Sequence, residues 1–198
     1  GNLNNTEEYG GSSWTAGGAL PVAKRGLGEA GTQTAGLSFG GLTTTNVDTT
    51  EEYDGSSWTG GGALNTARRF IAGGGTQTAA FGAAGYTTAS VANAEQYDGS
   101  SWTNTPNINT ARARVAGAGT TSAGLIFGGE GPTSAATESF NGSTWSTSPA
   151  TLATARRGMG GAGTGSAALG FGGRTSPGPV VNTEEFTLAA TTRSVDTT

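Results

Sequence analysis

Bulky and small residues alternate in four stretches of this chain. In the first stretch, Ala35, Leu37 and Phe39 occupy alternate positions, and Gly36 and Ser38 lie between them. Copies of the alternation begin at Ala79, Ala123 and Ala167. A period of two predicts β-strands, because successive side chains point to opposite faces of a sheet. One bulky face and one small face predict sheets stacked face to face, large residues against small ones.

Three sets of residues recur in a single register. The Trp residues are 44, 44 and 43 positions apart, and a Gly and a basic residue each recur at steps of 44. The sets are Trp14, Trp58, Trp102 and Trp145; Gly41, Gly85, Gly129 and Gly173; and Lys24, Arg68, Arg112 and Arg156. This period is typical of four-stranded propeller blades and of some helical arrays. The Gly, Thr and Ser content and the lack of helical periodicity favour strands.

Each unit is predicted to contain four short strands, lettered a to d. Strand a follows the basic residue and is built of small residues, strand b carries the alternation, strand c is acidic and ends in an aromatic residue, and strand d starts at the Trp. Dipeptides such as Asp98-Gly99 separate strands c and d, and they predict a type I′ hairpin turn with positive φ at Gly99.

The units predict one domain over residues 1–198. They cover about 24–67, 68–111, 112–155 and 156–198, and residues 1–23 hold a c–d strand pair without its a and b strands. The last unit is atypical after Phe186, where it lacks the turn and the Trp, and terminal repeats often differ because they cap or close an array. Two closures remain open. Either the N-terminal pair completes the last unit and closes a four-bladed ring, or further blades, upstream or on another subunit, complete a larger ring.

These residues resemble the kelch family of β-propellers. The kelch pattern has an Arg before strand a, a Gly pair ending strand b, and a Tyr and a Trp a few residues apart. The matching residues include Arg68, Gly128, Gly129, Tyr97 and Trp102. The spacing from Tyr to Trp is shorter here, and Ala84 replaces the first Gly once. The sequence of residues 50–58 is most similar to kelch-like repeats in tail-associated proteins of marine bacteriophages. The resemblance implies an all-β, kelch-like propeller and suggests a place in a virion.

Composition narrows the functional classes. The net charge of −4 and the pI of about 4.8 disfavour binding to a nucleic-acid backbone. No apolar run is long enough to predict insertion into a membrane. The chain has no His and no Cys, which removes the commonest general base, the Ser-His-Asp triad, disulfides and most transition-metal sites. We therefore expect no catalytic residues, no cofactor and no metal.

The basic residues are the first candidates for binding. Eight of the ten lie at the starts of strand a: Lys24, Arg25, Arg68, Arg69, Arg112, Arg114, Arg156 and Arg157. In a propeller these starts converge near the axis on one face, so they would form a cationic ring for acidic glycans or for the carboxylates of a partner. Lys24, Arg68, Arg112 and Arg156 are the candidate contacts. Alternatively, each pairs with a Glu of strand c.

The loops between strands b and c are the second candidates. They vary most between units, and they span residues 42–49, 86–93, 130–136 and 174–182. Variable loops on one face of a fixed scaffold are a common design for a binding surface. Asn46, Tyr86, Glu130 and Arg174 are therefore candidate contacts. The Trp residues and the strand-c Glu residues recur in the units, which favours packing roles over sugar platforms or a catalytic pair.

The sequence predicts a non-enzymatic structural or recognition module of a virion, associated with a phage tail. Its expected partners are other virion proteins or a host-surface glycan or receptor, and a homo-oligomer is an open alternative. A second hypothesis is a lectin-like propeller, free or secreted, that binds carbohydrate. The expected location of the protein is the virion or, failing that, extracellular. A third, a glycan-acting enzyme, is disfavoured because the chain lacks His and its carboxylates recur from unit to unit.

Overall fold

The computed structural model describes residues 1–188, and the regular elements of this part are β-strands. The strands are β1 Glu7–Tyr9, β2 Trp14–Ala16, β3 Gly28–Thr32, β4 Ala35–Phe39, β5 Thr50–Tyr53, β6 Trp58–Gly61, β7 Ala72–Thr76, β8 Ala79–Ala83, β9 Ala94–Tyr97, β10 Trp102–Thr105, β11 Ala116–Gly119, β12 Gly124–Phe127, β13 Thr137–Phe140, β14 Trp145–Ser148, β15 Gly160–Gly163, β16 Ala167–Phe171 and β17 Thr183–Thr187. Within the described residues, no helix is long and apolar enough to cross a membrane.

The strands form antiparallel sheets in chain order. Blade one contains β3–β6, blade two β7–β10, blade three β11–β14 and blade four β15–β17, while β1 and β2 form a separate two-stranded sheet. The all-β propeller of four blades with an additional N-terminal strand pair, predicted from the repeat, is confirmed. The atypical end predicted for the last unit falls mainly on residues 189–198, which lie outside the described residues.

The innermost strands pack side by side around the axis, β3 on β7, β7 on β11 and β11 on β15. Small residues permit this approach, since a Cβ on Gly117 would collide with the carbonyl oxygen of Gly73 on the neighbouring blade. The four strands line a cavity of about 380 Å³, together with the apolar residues that precede them, Leu27, Ile71, Val115 and Met159. Among the described residues, no comparable packing joins β15 back to β3.

Trp side chains fill the spaces between blades. Trp102 of blade two is 5% exposed, and its ring centroid lies 4.8 Å from that of Phe39 of blade one. The indole Nε1–H donates to Thr50 Oγ1 at 2.9 Å, so the polar atom of the buried ring is satisfied. Trp145 is buried in the same way, at 6% exposure. The predicted packing role is confirmed for these two residues, whereas Trp14 at the N-terminus is 65% exposed.

The N-terminal hairpin packs on blade one much as blade one packs on blade two. Tyr97 of blade two donates its hydroxyl to Glu52 Oε1 of blade one at 2.5 Å, and burial, followed by this hydrogen bond, raises the pKa of Tyr97 to about 12. Tyr53 of blade one likewise donates to Glu8 of the hairpin. Since β1 and β2 form their own sheet, the hairpin does not supply the outer strand of blade four.

One indole between blades lacks a hydrogen-bond partner. Trp145 Nε1 is buried without an acceptor. Ala94 occupies the strand position in blade two that Thr50 holds in blade one, at the start of strand c. The hydroxyl that accepts the Trp102 proton in one interface is therefore missing in the next.

The c–d turn differs from the predicted type. Asp98 N–H donates to Ser101 O at 3.2 Å, so Gly99 and Ser100 are the central residues of the turn. Only Gly99 has positive φ, at 92°, whereas type I′ requires it at both central residues, so the type I′ prediction is wrong. Positive φ at the first central residue alone is the type II′ pattern. Hydrogen bonds from the backbone of Ser101, and from Ser100, lower the pKa of Asp98 to about 2.

Trp102→Ala should destabilise the protein by about 3–5 kcal/mol, the range for truncating a buried aromatic side chain. Trp14→Ala is the matched control, because the same residue type at the same repeat position is exposed. Its free energy of unfolding should stay within about 0.5 kcal/mol of the parent. Denaturant unfolding measures both variants, and equal losses would contradict the burial difference.

Ala94→Thr should stabilise the protein by about 1 kcal/mol, because its hydroxyl would accept the orphaned proton of Trp145. Thr50 and Thr137 fit at the equivalent places with 2% and 3% exposure, so the added volume has precedent in this fold. Ala94→Val adds the volume without the acceptor and should bring no such gain. A stabilisation of equal size in both variants would show that packing, not the hydrogen bond, is responsible.

Candidate functional site

Four of the predicted binding residues lie inside the blades. Lys24, Arg68, Arg112 and Arg156 are at most 4% exposed. Each forms an ion pair with a strand-c Glu of its own blade: Lys24 with Glu51, Arg68 with Glu95, Arg112 with Glu138 and Arg156 with Glu184. Their charged groups therefore do not reach a surface where an external ligand could touch them. These four side chains therefore follow the alternative prediction, in which each basic residue pairs with a Glu of strand c.

The Arg68 guanidinium shows what this pairing achieves. It binds the Glu95 carboxylate and also donates to the carbonyl oxygens of Ala84, at 3.0 Å, and Gly82, at 3.3 Å. Burial lowers the pKa of Arg68, and the adjacent Glu95 carboxylate opposes that shift. A buried charge is tolerated only when it is paired and hydrogen-bonded. The side chain thereby joins the segment before strand a to the end of strand b and to strand c.

A second set of basic residues lies at the surface, on the face where the b–c loops begin. Isolated β-bridges join the residues next to the buried bases to the first residue of each loop: Arg25 to Leu42, Arg69 to Tyr86, Ala113 to Glu130 and Arg157 to Arg174. The loops and these arginines therefore share one side of the propeller. We call this side the loop face.

A series of backbone hydrogen bonds connects the blades at the loop face. Phe70 N donates to Gly26 O at 2.6 Å, Arg114 N to Phe70 O at 3.1 Å, and Gly158 N to Arg114 O at 2.9 Å. All four residues have positive φ, between 54° and 64°. Each directly precedes one of the apolar residues of the axial cavity, so this series of bonds lies at one end of that cavity.

Phe70 and Arg114 occupy these positions at a cost in backbone strain. Positive φ is unfavourable for residues with a Cβ, and such conformations cost about 1–3 kcal/mol each. The two side chains stack, with the guanidinium carbon of Arg114 3.8 Å from the centroid of the Phe70 ring. Strained residues of this kind concentrate at functional sites, which makes this pair the centre of the candidate site.

Arg69 and Tyr86 extend the site towards blade one. The Arg69 guanidinium carbon lies 4.6 Å from the Tyr86 ring centroid, and its Nη1 donates to Asn46 Oδ1 at 2.8 Å. Asn46 Nδ2 donates to the carbonyl oxygens of Tyr86 and Thr87, at 3.2 and 3.0 Å. Asn46 thus joins the loops of blades one and two with both ends of its amide. The Tyr86 hydroxyl makes no hydrogen bond to the described residues.

Glu130 extends the site towards blade four. Its carboxylate binds Arg114 Nε at 2.7 Å and Arg157 Nε at 3.1 Å, so both oxygens are in use. Arg174 is exposed, and its guanidinium has no side-chain or backbone partner within residues 1–188. We define the arginine cluster as Arg69, Phe70, Tyr86, Arg114, Glu130, Arg157 and Arg174. Within this cluster, the guanidinium groups of Arg114 and Arg157 bind one carboxylate. Arg69 stacks on Tyr86, and the backbone of Arg174 is bridged to that of Arg157, on a protein with a net charge of −4.

Phe70 was absent from the sequence-predicted site, and Arg114 was predicted only as a member of the cationic ring, not as a candidate contact. A signal for them existed in the repeat alignment, where Gly26 and Gly158 occupy the equivalent positions in the other two units. A position that holds Gly in two units indicates positive φ, and a bulky residue there in the other units marks strain. As candidate contacts, the prediction instead selected Arg68 and Arg112, which lie two positions earlier and are buried.

The described residues contain no group of three or more acidic side chains arranged to hold a metal ion. Comparison of the sequence with protein-family models gave no match, and comparison with curated proteins gave none either.

Arg68→Ala and Arg69→Ala should differ sharply, although the residues are neighbours. Arg68→Ala leaves the Glu95 carboxylate buried without its counter-ion, which should destabilise the protein by about 3–5 kcal/mol. Arg69 is half-buried at the loop face, and removing it should cost about 1 kcal/mol or less. Thermal and denaturant melts of both variants check this. An Arg68→Ala variant as stable as the parent would contradict the structural role of the buried pair.

Proposed function

We propose that this chain is a non-enzymatic recognition module that binds an anionic partner through the arginine cluster on its loop face. The observation that carries the proposal is the stacked pair Phe70 and Arg114, held in strained backbone at the end of the axial cavity. The strain fixes the position of these side chains, and a rigid site loses little conformational entropy when a ligand binds.

The chemistry of the cluster favours carboxylate groups as ligands. A guanidinium presents a planar fork of donors that matches a carboxylate in two hydrogen bonds. Arg114 and Arg157 already bind the carboxylate of Glu130 in this structure, and Arg174 is exposed beside the same segment of chain. A ligand carboxylate would displace Glu130 or bind Arg174 next to it. Acidic glycans and acidic protein surfaces both present such groups.

The roles of the recurring carboxylates support a non-enzymatic function. Glu51, Glu95, Glu138 and Glu184 each neutralise a buried basic residue. Glu8 and Glu52 each accept a Tyr hydroxyl from the neighbouring unit. These structural roles account for the recurrence of the carboxylates on strand c, so no catalytic pair is needed to explain it.

We place the module in a virion, near a phage tail, on the resemblance of its repeats to kelch-like tail-associated proteins. In that setting the loop face would contact other virion proteins or a receptor on the host surface. Mass spectrometry of purified particles, with immunogold electron microscopy against this chain, tests the placement. Labelling at the tail is the expected result, and absence of the chain from the particles would overturn it.

A lectin-like function is the second candidate, and Tyr86 is the observation that favours it. Its ring is held by Arg69, and its hydroxyl has no partner among the described residues, which leaves it available to a sugar hydroxyl. A free or secreted propeller would then bind carbohydrate at the same cluster through its hydroxyl groups. Hits for neutral sugars on a glycan array would favour the lectin over a carboxylate-directed module.

The double variant Arg114→Ala, Arg174→Ala should weaken binding to carboxylated glycans or acidic partner proteins by about tenfold or more, since charge-assisted hydrogen bonds contribute about 1.5–3 kcal/mol. Binding is measured on a glycan array and, for the hits, by calorimetry. Arg25→Ala is the matched control, because Arg25 lies on the loop face outside the cluster and bonds Asn2. Binding unaffected by the double variant, or reduced equally by the control, would refute the assignment.

A further inference from the structure

Two neighbouring interfaces use the same pair of side-chain hydrogen bonds. In each, a Trp at the start of strand d donates to a Thr, and a Tyr at the end of strand c donates to a Glu of the preceding unit. The bonds are Trp58 to Thr6, Tyr53 to Glu8, Trp102 to Thr50 and Tyr97 to Glu52. We call the side of a unit that carries its Trp and Tyr the donor face, and the side that carries its Thr and Glu the acceptor face. Each pair of bonds joins the donor face of one unit to the acceptor face of the unit before it.

The next interfaces have lost the Tyr donor and the Glu acceptor together. Between blades two and three, Ala94 and Gln96 replace the Thr and the Glu, and Phe140 replaces the Tyr. Between blades three and four, Thr137 remains, but Ser139 replaces the Glu and Phe186 replaces the Tyr. In both interfaces the carboxylate acceptor and the phenol donor are replaced together, as expected of two groups that bond to each other.

Within residues 1–188, each end of the array carries an exposed face without a partner. At the N-terminal end, Tyr9 and Trp14 are 50% and 65% exposed, and the Tyr9 hydroxyl donates to Gly11 O of its own turn at 2.6 Å. At the other end, Phe171 of blade four is 46% exposed, and Thr183 and Glu185 are also exposed.

The blade-four face repeats the acceptor face of blade one. Phe171 lies opposite Thr183 in its sheet, and Leu169 lies opposite Glu185. Blade one has the same register, with Phe39 opposite Thr50 and Leu37 opposite Glu52. These are the residues that receive Trp102 and Tyr97 of blade two, through the Phe39 ring, the Thr50 hydroxyl and the Glu52 carboxylate. Within residues 1–188, the Thr183 and Glu185 side chains have no hydrogen-bond partner.

We infer that the outer face of blade four binds the β1–β2 hairpin of a second copy of this chain. Trp14 of the second copy packs on Phe171 and donates to Thr183 Oγ1, and its Tyr9 hydroxyl donates to Glu185. Each contact reproduces one already present between blades one and two, so the interface continues the existing blade packing. The hairpin cannot make these contacts within its own chain in this structure, because it is bonded to blade one and both faces are exposed.

Such an interface is heterologous, since two different faces meet. Repetition of a heterologous contact generates a closed ring or an open filament, depending on the rotation that relates successive copies. Each added copy presents a new donor face and a new acceptor face. The predicted assembly therefore grows head to tail, and association depends on protein concentration.

The experiment uses the full chain and two interface variants. The donor variant is Trp14→Ala, and the acceptor variant is Thr183→Ala combined with Glu185→Gln. Light scattering and sedimentation across a range of concentrations should show association of the parent and monomers for each variant alone. An equimolar mixture of the variants should form a 1:1 dimer, because one supplies an intact blade-four face and the other an intact hairpin.

The control is Val181→Ala, which removes an apolar side chain that is 97% exposed and belongs to neither face. It should associate like the parent. Circular dichroism melts of all variants, taken at a concentration too low for association, should match the parent, since every altered residue is exposed in the monomer. A parent that is monomeric at every concentration would overturn the inference. So would association that both variants leave intact, or a mixture that stays monomeric. A monomeric parent destabilised by Trp14→Ala would instead place the hairpin on blade four of its own chain.

Discussion

The buried pair between a basic residue and a strand-c Glu is the interaction on which each blade depends. Strand a consists mostly of Gly and Ala, so it buries little apolar area and contributes little through the hydrophobic effect. The pair compensates by linking the segment before strand a to strand c, and in blade two it also holds carbonyl groups at the end of strand b. Since both charges are buried, losing either one leaves the other without compensation.

The same pair determines where the remaining positive charge lies. Arg68 and Arg69 are adjacent, and once the first is held inside the blade, the second lies at the loop face. The same holds for Arg156 and Arg157. An acidic chain thereby acquires a local cationic surface without an excess of basic residues. The structural role of one arginine and the recognition role that we propose for the next are thus separated by one position in the sequence.

Packing between blades depends on a second, less uniform set of contacts. Hydrogen bonds from Trp and Tyr join the hairpin, blade one and blade two, but they are incomplete at blades three and four. Apolar contacts, such as that between Phe81 and Trp145 at 6.0 Å, continue where the hydrogen bonds do not. Apolar surface area and shape complementarity between blades therefore suffice to stack blades three and four. The side-chain hydrogen bonds add specificity at the interfaces where they occur.

The sequence by itself determined the four repeat units, the order of strands and the burial of Trp102, because a repeat with period-two alternation leaves few other arrangements. It left open how many blades make up the ring. It did not determine which basic residue of each pair is buried, the type II′ pattern at Gly99, or the strain at Phe70 and Arg114. It also did not show that Asn46 and Glu130 are already engaged by neighbouring arginines. These features depend on backbone direction in irregular segments and on contacts between units. Only the tertiary structure sets them, because each unit's loops take their positions from the blade beside them.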